Sequence, residues 1–171
     1  MDNTPTVAKS CYIFFSFNSY IHIGFNIYIL IVMNNEFEQI SLKPGFMRHN
    51  GGLLFKTISE NEYQFKTVIK ENHLNAAGIT HGGFIAAVVD AGSGTAAHRA
   101  VGNSQCVTIS LELKFISVVK LGQELIGTTK IQKKTKSMVF LTCELKASDK
   151  IVATASGVWK ILKLSGAGPG G

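Results

Sequence analysis

The stretch Gly82-Gly83-Phe84-Ile85-Ala86-Ala87-Val88-Val89-Asp90-Ala91, running on to Ala100, decides how the rest of the chain is read. It is apolar nearly all round and too long for a strand, so the pattern predicts a helix over 82–100. A helix apolar on every face is expected to be covered on every face. Gly92 and Gly94 each weaken it by about 1 kcal/mol relative to Ala, but small residues admit a close neighbour. His98 and Arg99 suit its C-terminus, and Gly102-Asn103 ends it. One residue does not fit the apolar run. An ionised Asp90 in such surroundings is expensive to desolvate and needs a reason to be there. The Gly82-Gly83 step meanwhile opens the helix with bare backbone N–H groups. A poised carboxylate and a helix N-terminus make a plausible hydrolytic site.

Outward from this helix the chain alternates with the strand period. Leu53–Ile58 and Tyr63–Lys70 read as strands joined by the polar turn Ser59-Glu60-Asn61-Glu62, followed by a loop over 72–80. Beyond the helix, Val107, Ile109, Leu111, Leu113 and Phe115 share one face, opposite Thr108, Ser110, Glu112 and Lys114. Strands are also expected over about 124–134, 139–146 and 151–162, and a short helix over 36–42 before Pro44-Gly45. Short turns imply antiparallel pairing. The economical architecture is α+β, a curved antiparallel sheet wrapped around one long central helix. The last four strands could pair as a meander, with the first two at an edge or inserted.

The chain has 171 residues and is 46% apolar, which fits one globular domain with a real core. Its net charge of +6 suits anionic ligands. The lysines are spread, apart from Lys133-Lys134-Thr135-Lys136, and no basic run carries interleaved aromatics, so nucleic acid is not an expected partner. Cys11, Cys106 and Cys143 show no paired spacing, which argues against a disulfide framework or zinc knuckle and toward a reduced, cytoplasmic setting. The histidines have no metal-ligand spacing, so no metal is expected. There is no G-x-S-x-G elbow, P-loop or dinucleotide fingerprint.

Residues 11–33 carry no charge and are long enough to span a bilayer, though Ser16, Asn18, Ser19, His22 and Asn26 interrupt them. Residues 1–32 are therefore read in three ways: a membrane anchor, an aromatic-rich segment packed on the domain, or upstream sequence read through from a misplaced start, with Met33 the working start. We favour the third. The main domain is placed at 33–163, and 164–171 as a flexible Gly-rich tail.

The segment Asn75-Ala76-Ala77-Gly78-Ile79-Thr80-His81-Gly82-Gly83, followed by Asp90, resembles the hotdog-fold acyl-CoA thioesterases of the phenylacetate-pathway (PaaI-like) type. That family's pattern is Asn, a Gly, His-Gly-Gly six residues after the Asn, and Asp nine residues after the His. All these spacings are met here. Val107–Leu111, the turn Lys120-Leu121-Gly122 and the closing Gly157-Val158-Trp159-Lys160 are also similar, so the likeness covers about residues 45–163.

The resemblance implies hydrolysis of acyl-CoA to free acid and coenzyme A, with no cofactor beyond the coenzyme A of the substrate. It gives the Gly82 N–H to the thioester carbonyl oxygen, reinforced by the helix dipole. Asn75 becomes a second polar group at the carbonyl or the water. Asp90 is general base or nucleophile, and Thr108 orients the water or the carboxylate. His81 and Gly83 shape the substrate loop, and Lys120, Lys134 and Lys136 are candidates for the coenzyme A phosphates. Gly82 and Asp90 are eight residues apart, about 12 Å along one helix, so one carbonyl carbon cannot touch both. If both serve one thioester they come from two chains, in a two-fold homodimer or a homotetramer built from it. The small residues Ala86, Ala87, Ala91 and Gly94 suit that approach. The rival readings are a hotdog module that binds acyl thioesters without cleaving them, a hydratase or dehydratase on the same fold, and a membrane-tethered structural protein.

Overall fold

A computed structural model describes residues 36–162, so the expectations for residues 1–32, for the uncharged 11–33 and for the tail lie outside the described residues. The elements in order are β1 (Glu38–Ile40), α1 (Phe46–His49), β2 (Leu53–Ser59), β3 (Glu62–Val68), α2 (Gly82–Ala100), β4 (Cys106–Phe115), β5 (Glu124–Lys134), β6 (Met138–Ala147) and β7 (Lys150–Ile161), with a single 3-10 turn at Glu71–His73. All seven strands form one antiparallel sheet in the order β1-β2-β3-β5-β6-β7-β4. α2 lies against every strand from β2 to β7. Six strands about 4.8 Å apart are far wider than one helix, so the sheet must bend around α2 to reach it. No described helix is long and apolar enough to cross a membrane.

Two expectations change. Residues 36–42 hold the strand β1 rather than a helix, because β2 offers a free edge and Glu38 pairs opposite Phe55 there. The helical turn comes later, at α1. The last four strands are not a simple meander either. β3 already occupies the free edge of β5, from Glu62 opposite Lys130 to Val68 opposite Glu124. β4 therefore takes the remaining edge and pairs with β7.

α2 is less covered than its composition predicts. Its buried residues are Phe84, Ile85, Val88, Val89, Gly92, Ser93, Ala96 and Ala97, a stripe repeating every three to four residues. Ala86, Ala87, Ala91 and Gly94 are half-buried, and Asp90 is exposed. The sheet covers one side of the helix, and the opposite side carries small residues, the carboxylate and, toward the C-terminus, Thr95, His98 and Arg99. The glycines of the buried side have a packing reason. The Phe65 ring is clamped between Gly92 of α2 and Gly127 of β5, and a Cβ would stand only 2.3 Å from a ring carbon at Gly92 and 2.2 Å at Gly127. The core beneath is built from Leu53, Phe55, Phe65, Leu125, Val139, Leu145 and Trp159.

Candidate active site

Strand alternation puts Thr108 on the face opposite Leu111, Leu113 and Phe115. The ladder does otherwise. Thr108 pairs opposite Trp159 and Ser110 opposite Val158, which leaves Ile109 as an unpaired extra residue. This bulge shifts the phase of β4 by one, so Thr108 and Leu111 both face α2. The Thr108 hydroxyl thereby donates to Asp90 Oδ1 at 2.7 Å, a short, charge-assisted bond between β4 and α2. It fixes the carboxylate on the uncovered side of the helix. Asp90 is not the buried acid that its apolar neighbours suggest, because those neighbours face the sheet and it does not.

The loop before α2 is tied down at every step. Asn75 Oδ1 accepts from the N–H of Ala77 (2.9 Å) and of Ile79 (3.4 Å), closing an Asx turn. Gly78 supplies the positive φ of +72° that this turn requires. The Thr80 N–H and hydroxyl both donate to the Val119 carbonyl. The His81 N–H donates to the His73 carbonyl. His73 itself is buried, with its ring stacked on Phe84 at 3.7 Å between centroids. Its Nδ1 accepts from the Lys70 N–H and its Nε2–H donates to the Asn50 carbonyl. Burial pushes the His73 pKa below the ordinary imidazole value. The Asn50 carbonyl opposes that fall and the Lys70 charge adds to it.

His81 then caps α2. Its Nδ1 accepts from the Gly83 N–H at 2.8 Å, and its carbonyl accepts from Phe84 and Ile85. Of the first-turn donors, the Gly82 N–H alone meets no acceptor among the described residues. Beside it lies the Phe115 ring, 3.5 Å from where a Gly82 side chain would begin. A helix N-terminus with one free N–H can hold a developing negative charge. Next to Asp90, a cavity of about 550 Å³ runs between α2 and the ends of β4 and β7, lined by Asp90, Gly94, His98, Cys106, Thr108 and Trp159 among others.

A sequence model described as the thioesterase superfamily matches residues 77–154. The Pseudomonas aeruginosa protein named "Putative esterase PA0474" is 34% identical over 94 residues, covering 54% of this chain and 70% of that protein. The chain belongs to the thioesterase superfamily. Human acyl-coenzyme A thioesterase 13 is 31% identical over 87 residues, 50% of this chain and 62% of that one. Among solved structures, zebrafish thioesterase superfamily member 2 superposes with a TM-score of 0.65 at 21% identity, covering 71% of this chain and 90% of its own. A Streptococcus pneumoniae thioesterase protein with coenzyme A gives 0.59 at 16%, covering 73% and 94%. These two likenesses establish the hotdog fold, the curled sheet around one long helix.

In this thioesterase the site residues expected from sequence fall into three places. Asp90 and Thr108 meet across α2 and β4. Asn75, His81, Gly82 and Gly83 form the loop and cap at the start of α2. The three lysines do not converge. Lys120 adjoins the loop through Val119, which holds Thr80. Lys134 lies at the opposite end of α2, where its ammonium pairs with Glu60 at 3.0 Å and approaches the Ala100 carbonyl at 3.4 Å. Lys136 sits in the turn between β5 and β6. Sequence reasoning gave no role to His73, Phe115 or the Ile109 bulge. Phe115 carried a weak signal, a large aromatic closing the alternation of β4, and the structure leaves it 57% exposed on the edge strand. The bulge carried none, because the alternation of β4 reads as unbroken. Among the described residues no three His, Cys, Asp or Glu side chains gather as a metal site.

Proposed function

We propose that this chain hydrolyses acyl-CoA thioesters, with Asp90 and Gly82 acting at one carbonyl from two protomers. The observation that carries this reading is the Thr108–Asp90 hydrogen bond of 2.7 Å on the open side of α2, beside a cavity. The half-covered face with Ala86, Ala87, Ala91 and Gly94 supports a second copy lying against the first. The names of the relatives and the coenzyme A in the S. pneumoniae structure support the substrate class.

The chemistry follows from the donors and acceptors. Thr108 occupies Oδ1 of Asp90, and Oδ2 faces a water. Asp90 takes the proton as the water oxygen bonds to the thioester carbon. The carbonyl oxygen becomes an oxyanion held by the Gly82 N–H of the other protomer. Collapse breaks the C–S bond, and coenzyme A leaves as thiolate or takes the proton back. In the alternative with the same groups, Asp90 attacks the carbonyl carbon, the C–S bond breaks as coenzyme A leaves as thiolate, and water then hydrolyses the mixed anhydride to free the acid and restore the carboxylate. Asn75 contributes its amide nitrogen, since its oxygen is spent on the turn. His81 and Gly83 hold the loop, and Lys120 is the lysine best placed for a coenzyme A phosphate. No metal or further cofactor takes part, and the compartment is the cytoplasm. A hydratase is disfavoured because His98 is eight residues from Asp90, about 12 Å along α2, with its Nδ1 committed to the Ser104 carbonyl.

The test is thiol release from a panel of acyl-CoAs by wild type and Asp90→Asn. A loss of at least ~100-fold in kcat is expected, the low end of general-base effects. Hydrolysis that survives the substitution unchanged removes Asp90 from its role.

A further inference from the structure

We propose that Ser93 and Thr129 are positioning residues: one hydrogen bond between them, sealed beneath α2, fixes where the helix sits along the sheet and so where Asp90 meets the thioester. The inference rests on the thioesterase reading and deepens it. Ser93 of α2 and Thr129 of β5 are both fully buried, and their hydroxyl oxygens lie 3.0 Å apart, one donating to the other. Neither lines the cavity beside Asp90. An unpaired hydroxyl in an apolar core is expensive, so each is tolerated because the other is there. Alanine at 93 and valine at 129 fill nearly the same volume without that condition. A polar pair that packing does not require is suited to fixing one arrangement among several.

The rest of the contact lacks direction. Every other buried residue of α2 has a side chain of carbon and hydrogen alone, or none. Burial of such surface is non-directional. The Phe65 ring sets how near α2 approaches, because contact resists compression. A hydrogen bond also opposes sliding and turning, since it weakens steeply as its angle closes. Among the described residues, Ser93–Thr129 is the one side-chain hydrogen bond from the buried side of α2 to a strand. Cys143 completes the cluster. It pairs opposite Thr129 on β6, and its thiol faces both hydroxyls. Burial pushes that thiol up to about 11, against the pull of the two hydroxyls, so it stays protonated.

Ser93 follows Asp90 by three residues, close to one turn of helix. At this level α2 is therefore held from two sides, by Thr129 on the central strand β5 and by Thr108 on the edge strand β4. Losing the inner bond lets the helix shift against β4, and Oδ1 of Asp90 then leaves the Thr108 hydroxyl. A misplacement of about 1 Å costs up to about 100-fold in rate.

Three variants separate positioning from stability. Thr129→Val strands the Ser93 hydroxyl and lowers both Tm and kcat. Ser93→Ala/Thr129→Val removes both hydroxyls and recovers most of the Tm, because neither is left buried without a partner. Its kcat is nonetheless expected to stay at least fivefold below wild type, with KM within about twofold. Thr129→Ser keeps the hydroxyl and loses a methyl, so Tm falls while kcat holds within about twofold of wild type. A purely structural pair makes kcat follow Tm across the three. Wild-type kcat in the double variant, or equal kcat in Thr129→Val and Thr129→Ser, overturns the proposal. The second readout needs no turnover. In protein isotope-labelled at threonine methyl groups, the Thr108 resonance reports on its bond to Asp90. It is expected to move in the double variant and to stay in place in Thr129→Ser. A Thr108 resonance unmoved in the double variant also overturns the proposal. A wild type that releases no thiol from any acyl-CoA, while the Thr108 resonance still moves, defeats the hydrolysis reading and leaves the positioning of Asp90 standing.

Discussion

Replacing Gly92 by alanine sets two well-measured effects against each other. In an exposed helix, Gly→Ala stabilises by about 1 kcal/mol through propensity. At position 92 the new Cβ would lie 2.3 Å from Phe65 Cδ1, whereas ordinary contact begins at 3.4 Å. Phe65 cannot retreat, because Gly127 holds its other edge equally closely. α2 must therefore lift from the sheet by about an ångström. Overpacking of this kind costs typically 1–3 kcal/mol, and the lack of any escape route places it near the top of that range. The net effect expected is a loss of about 2 kcal/mol, which lowers Tm by roughly 4–8 °C for a domain of this size. Urea unfolding followed by circular dichroism gives the value directly, with m unchanged. The lift also carries Asp90 away from Thr108, so kcat falls in the same variant. Adding Phe65→Leu should restore part of both, with a coupling of about 1 kcal/mol or more in the double-mutant cycle. An alanine variant as stable as wild type, or more stable, refutes the clamp.

Thr108→Val keeps the shape of the side chain and removes the donor to Asp90; kcat should fall about tenfold, equivalent to about 1.4 kcal/mol of transition-state stabilisation, with Tm almost unchanged, while Thr108→Ser retains most of the rate. A kcat for the valine variant equal to wild type shows that the hydroxyl does not position the acid. His73 gives a pH signature. Its pKa is lowered in the folded state, so the unfolded chain binds the extra proton first, and stability is complete above the unfolded value of about 6.5 and declines as pH falls from there toward the folded value, levelling off below it. Denaturation midpoints from pH 8 to 5 should therefore fall more steeply for wild type than for His73→Gln, and parallel curves contradict the assignment.

The helix was legible because nineteen residues of nearly unbroken apolar sequence, bracketed by Gly82 and Gly102, allow little else. The long strands were legible for the same reason, since a period of two survives in β5, β6 and β7. Burial was not. The run around Asp90 looks as though it must be covered on all sides, yet coverage depends on how far a sheet can wrap, which the residues of the helix do not encode. Pairing order was equally hidden, because β4 finds β7 only after β3 has taken the edge of β5. Asp90, Gly82 and Thr108 were singled out through the spacing of Asn75, His81 and Asp90 in a known pattern. The partnership of Thr108 with Asp90 was invisible to alternation, which assigns Thr108 to the wrong face. Lys134 has a partner that its sequence neighbourhood does not reveal. Its charge suits a phosphate, and Glu60, 74 residues away in sequence, lies next to it in space.

Ile109 contributes neither a hydroxyl nor a charge, yet it sets the rotational frame in which its neighbour acts. Were it to take a rung of its own on β7, every residue before it would reverse faces and Thr108 would stand opposite Lys160, turned away from α2. A chain in that register would fold and still fail as an esterase. Slippage by a single position, more than changes of identity, is therefore what this edge of the sheet tolerates least.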